Sequence, residues 1–115
     1  MYTRDFDAID TQVQTKWSNS KFVISMFDTV EDIENKVLCS NHIILFIDED
    51  KSGTECVYVI TKQKGKQYIF IKDVIDCLVK NKFEPRNKFL EDFTPTNMFS
   101  LNDNHVRIFK GFWGS

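Results

Sequence analysis

The chain has 115 residues, of which 42% are hydrophobic and 14% aromatic, and its 15 basic and 17 acidic side chains leave a net charge of −2. This composition excludes a disordered or low-complexity chain and leaves room for one domain, residues 1–115, with a packed core. The near-balance of charge neither requires nor excludes a nucleic-acid partner. The longest apolar run, IILFI at 43–47, is far short of the roughly 20 residues of a membrane span, so no membrane partner is expected.

Three cysteines and a polar, acidic opening, MYTRDFDAID, give no secretory or transit signal and imply free thiols in a reducing compartment. The expected location is cytoplasmic. Phe, Ile, Lys and Asn are abundant, whereas Ala occurs once. That bias points to an AT-rich genome, and the small size without a catalytic motif fits a viral or phage protein acting in a host cell.

Residues 4–17 space Phe6, Ile9, Val13 and Trp17 as one apolar stripe and predict an amphipathic helix. KFVISMF at 21–27 predicts a strand. Asp28 and Thr29 open a second helix, with Asp28 and Glu31 in capping-box spacing and Val30, Ile33, Val37 and Leu38 on its apolar face. Strands are predicted at 42–48, 55–61 and 67–72, the last two joined as a hairpin through KQKG. A third helix is predicted near 73–82, with Val74, Ile75, Leu78 and Val79 on one side. Pro85 opens a helical turn that points Phe89, Leu90 and Phe93 inward. TPTN at 94–97 is a loop, and 105–113 is a last strand. The fold class is therefore α+β: one small domain, elements from 21 to 113 behind the first helix, with a mainly antiparallel sheet of four to five strands and helices packed on one face.

Asp48, Asp50, Ser52 and Gly53 have the opening spacing of an EF-hand calcium loop. Val59 stands where the bidentate Glu belongs and the flanks are strands, so the segment is read as a turn and no metal is expected. Cys39 and His42 form a single C-x-x-H pair, where zinc normally takes two pairs. The few glycines build no phosphate-binding loop and no catalytic signature is present, so neither cofactor nor enzymatic activity is expected.

Two candidate binding surfaces remain. Lys62, Lys64, Lys66 and Lys72, interleaved with Tyr68 and Phe70, have the chemistry of a single-stranded nucleic-acid site: rings for bases and ammonium groups for phosphates. KGKQYIFI at 64–71 is similar in part to the RNP1 pattern of RNA-recognition motifs. It departs from that pattern at Lys66, Gln67 and Ile71, so no functional residue is carried over. Trp17, Phe109, Phe112 and Trp113 are the second candidate, an aromatic protein interface at the two ends of the chain. The leading expectation is a protein–protein interaction module, self-associating or binding a host factor. The alternative is a nucleic-acid binder using a lysine and aromatic hairpin at 58–72.

Overall fold

The computed structural model describes residues 16–26, 29–96 and 106–114. Their elements, in chain order, are β1 (Val23–Ile24), α1 (Val30–Asn35), β2 (Val37–Cys39), β3 (Ile43–Glu49), β4 (Glu55–Thr61), β5 (Ile69–Phe70), α2 (Ile71–Lys80), β6 (Phe89–Thr96) and β7 (Arg107–Gly114). Five strands form one sheet in the order β1-β6-β7-β3-β4, and β2 and β5 form a separate two-stranded ribbon. The expected first helix lies outside the described residues except for its end at Lys16 and Trp17.

The sheet is mixed, not mainly antiparallel. β7 inserts between β6 and β3, pairing antiparallel with β6 and parallel with β3, and β1 lies parallel to β6. The two antiparallel pairs within it, β3 with β4 and β6 with β7, each join strands that are consecutive in the chain. The expected hairpin between the second and third central strands does not exist, because β5 leaves the sheet and pairs with β2.

Local chemistry explains most boundaries. Thr29 caps α1 by accepting the Asp32 N–H at 3.0 Å. The helix ends early, at Asn35; Lys36 turns extended, and its carbonyl takes the Ile71 N–H at 2.9 Å. Val37 and Leu38, expected on the helix, therefore lie in β2. α2 starts two residues earlier than expected because the Asp73 carboxylate reaches back to the Phe70 N–H at 2.8 Å. The segment after Pro85 is a strand, not a helical turn. A bulge between Leu90 and Asp92 lets Leu90 and Phe93, three residues apart, both turn inward.

One core results. α2 sets Ile71, Val74, Ile75 and Leu78 into a cluster shared with Ile33 of α1 and with Ile44, Phe46, Ile60, Leu90, Phe93 and Phe109 of the sheet. Burying each of these side chains contributes about 1.5–3 kcal/mol. Phe46 is central, with Phe83 and Phe93 edge-on at 5.9 Å and Tyr58 stacked at 6.4 Å. Among the described residues no helix is long and apolar enough to cross a membrane.

Candidate interaction surface

The β3–β4 ribbon has two faces of different fate. Ile44 and Phe46 of β3, with Tyr58 and Ile60 of β4, point into the core. Ile43, Leu45 and Ile47 alternate to the other face, where they meet Thr61, Val59 and Val57 across the ladder. This outer face is apolar as well: Val57 is 51% exposed, Val59 62% and Ile43 41%. Antiparallel strands with one solvated face ordinarily alternate apolar with polar residues. Here both faces are apolar and only one is covered by the core.

The ladder also settles where the backbone of β4 points. The Lys62 N–H donates to His42 and the Asp50 N–H to Thr54. Even-numbered β4 residues are thus the hydrogen-bonded partners of β3. The N–H and C=O groups of Glu55, Val57, Val59 and Thr61 face the opposite way. β4 ends the strand order, and no other described strand pairs with it. Outward side chains lie at the non-hydrogen-bonded positions, where they approach most closely. Glu49 and Glu55 are directly opposite there, a like-charge pair with no ion pair among the described residues.

Two acids of the turn, Asp50 and Asp48, are engaged within the chain. Asp50 Oδ1 accepts from the Ser52 N–H at 2.9 Å, the Ser52 hydroxyl at 2.6 Å and the Thr54 N–H at 3.0 Å. The Ser52 hydroxyl and the Thr54 backbone lead in holding the Asp50 carboxyl below its usual range. Gly53 takes φ +84°, as the turn requires. Asp48 Oδ2 accepts from the Gly111 N–H at 2.9 Å and from Trp113 Nε1 at 2.7 Å. Asp48 is therefore a clasp on β7. Gly111 makes the clasp possible, since a Cβ there would fall 2.5 Å from Trp113 Nε1.

The predicted aromatic interface is largely interior. Trp17 is 4% exposed, and its indole donates to Asp76 Oδ1 at 2.8 Å. Phe109 is 3% exposed. Trp113 packs edge-on against Phe22 at 5.4 Å and beside Phe83 at 5.8 Å. Only Phe112 remains open, at 54% exposure. Rings near the ends of the chain were needed to close the core, so they are not free to form a common contact surface.

The lysine candidates are split as well. Lys64 and Lys66 are exposed in the loop after β4, with Lys62 half-buried at its start. Lys72 lies instead in the first turn of α2, lining a depression with Glu31 and Glu34. Tyr68 and Phe70 share a side and touch edge-on at 6.4 Å, with Tyr68 exposed and Phe70 half-buried. Tyr58 belongs to the core and does not extend that pair into a platform. Cys39 is buried, and burial pushes its thiol up, away from the thiolate form. His42 stands exposed beyond it.

Ile43, Leu45, Ile47, Val57 and Val59 are not among the candidate residues expected from the sequence. Their signal was present: apolar residues at both odd and even positions of 43–47 and 57–60. No family model, curated protein or solved structure matches this chain.

Proposed function

We propose that this chain is a protein–protein interaction module, and that its contact surface is the outer face and free edge of the β3–β4 ribbon. The observation that carries this reading is the ribbon's second apolar face, which the chain's own core does not use. Side chains such as Val57 and Val59 gain from leaving water, and the adjacent unpaired β4 backbone offers a template for a further strand. No catalytic constellation is needed for such a role, because specificity comes from register and from the side chains flanking the edge.

A photo-crosslinker placed at Val59 tests the reading, with the same group at exposed Asn35 on α1 as the control. Protein adducts are expected at position 59 and not at 35. Equal labelling at the two sites, or none at 59, rejects the surface.

The exposed Lys64 and Lys66 beside Tyr68 support a second reading, single-stranded nucleic-acid binding. That reading requires affinity that falls steeply between about 50 and 200 mM salt. It also requires loss of affinity in a folded Lys64→Glu, Lys66→Glu variant.

A further inference from the structure

We infer that the strand pairing with the β4 edge is β4 of a second copy of this chain, antiparallel and centred on Tyr58. The inference rests on the interaction reading above and names its partner. Two sheets of order β1-β6-β7-β3-β4 then join edge to edge about a twofold axis.

Three observations support this occupant. The first is backbone parity. With Tyr58 on the axis, Glu55 faces Thr61 of the second copy and Val57 faces its Val59. These are the residues whose N–H and C=O groups point away from β3, so every outward group finds a partner in one register. Antiparallel self-pairing in a register that set odd residues opposite even ones would leave these groups mismatched.

The second is the edge itself. Natural edge strands are usually blunted by Pro, by Lys or by a bulge. β4 reads ECVYVIT and pairs with β3 without a register shift. Its lysines begin only after the strand ends. In the dimer the exposed Val57 and Val59 of both copies form one apolar strip, extended by Leu45 and Ile47 of each β3.

The third is charge. The segment before β4 and its first residue carry Asp48, Glu49, Asp50 and Glu55 against Lys51 alone, while the segment after β4 carries Lys62, Lys64 and Lys66 and no acid. A strand with opposite charges at its two ends is self-complementary when antiparallel and self-repelling when parallel. The unrelieved Glu49–Glu55 pair lies at the acidic end, where the lysine turn of the second copy arrives. Asp48 and Asp50 are already committed to hydrogen bonds within the chain. Glu49 and Glu55 are therefore the acids open to a partner.

Sedimentation velocity on the full chain, across a dilution series, tests the pairing. The wild type is expected to dimerise, with a dissociation constant that rises with salt as the matched ends are screened. Two charge variants sharpen the test: Lys64→Glu with Lys66→Glu, and Glu49→Lys with Glu55→Lys. All four positions are exposed, and melting curves verify that each variant folds. Each variant alone should dimerise at least about tenfold more weakly, and their mixture should form the heterodimer, because both ends are then matched. A wild type that stays monomeric overturns the inference. So does a dimer indifferent to salt, or a mixture that gains nothing over its components. A monomeric wild type that still forms adducts at Val59 with a different protein overturns the self-pairing and leaves the interaction reading standing. A monomer whose lysine variant loses only oligonucleotide binding overturns the self-pairing in favour of nucleic acid.

Discussion

The inner and outer faces of the β3–β4 ribbon are built from similar residues and do opposite things. Inside, Ile44, Phe46, Tyr58 and Ile60 meet α2 and the rings of Phe83 and Phe93. Outside, Ile43, Leu45, Ile47, Val57 and Val59 have a comparable apolar surface but remain half-buried or exposed. The difference shows that hydrophobicity alone did not decide which face became core. α2 packs on the inner face, and the outer face holds the surface proposed for binding.

Substitutions on the two faces should separate stability from association. The largest expected effect is on the inner face. Phe46→Ala removes a fully buried ring with three aromatic neighbours and should cost about 3–5 kcal/mol by urea denaturation. A loss below about 1 kcal/mol would mean that the inner face is not the core.

Next comes the clasp that fastens β7 to this ribbon. Asp48→Ala leaves the Gly111 N–H and the Trp113 indole without their carboxylate and should cost about 1.5–3 kcal/mol. Trp113 fluorescence should shift in the folded state, and an unchanged emission would show that the indole does not depend on Asp48.

A pH effect follows from the inner face. Desolvation, with Cys56 beside it, pushes the Tyr58 phenol up from 10.0 to about 12. The folded state therefore favours neutral Tyr58. This contribution is fully present below pH 10.0 and is lost as pH rises towards about 12. Thermal melts of wild type should fall across that window more steeply than those of Tyr58→Phe. Parallel curves would place the phenol in water.

The smallest effect on folding is expected outside. Val57→Thr with Val59→Thr should leave denaturant stability of the monomer within about 0.5 kcal/mol of wild type. The same pair should weaken association. A large stability loss in a dilute, monomeric sample would mean that these valines belong to a core.

Much of this architecture was legible in the sequence. The predicted strand 55–61 coincides with β4, because ECVYVIT is rich in β-branched side chains and is bounded by turn residues. β6 departs from the predicted helical turn for a physical reason. Its bulge brings Leu90 and Phe93 to one side at a spacing of three, which imitates a helix. β5 was extended too far because Ile71 and Lys72 continue its pattern, while the Asp73 carboxylate, capping from three residues away, starts α2 there. The candidate sites were harder. Trp17, Phe109 and Trp113 were recognised as rings that either close a core or bind a partner, and only tertiary packing shows that they close it. The apolar run at 43–47 was visible, but a run cannot show which of its faces a helix will cover.

The most direct measurement is amide hydrogen exchange of the wild-type chain, read at Val57 and Val59 in concentrated and dilute samples. These N–H groups point away from β3 and no described strand pairs with them, so a strand added to the β4 edge should protect them. Slow exchange at high concentration that becomes fast on dilution is the predicted result. Fast exchange at every concentration, equal to that of the exposed loop residue Gly65, would contradict the account.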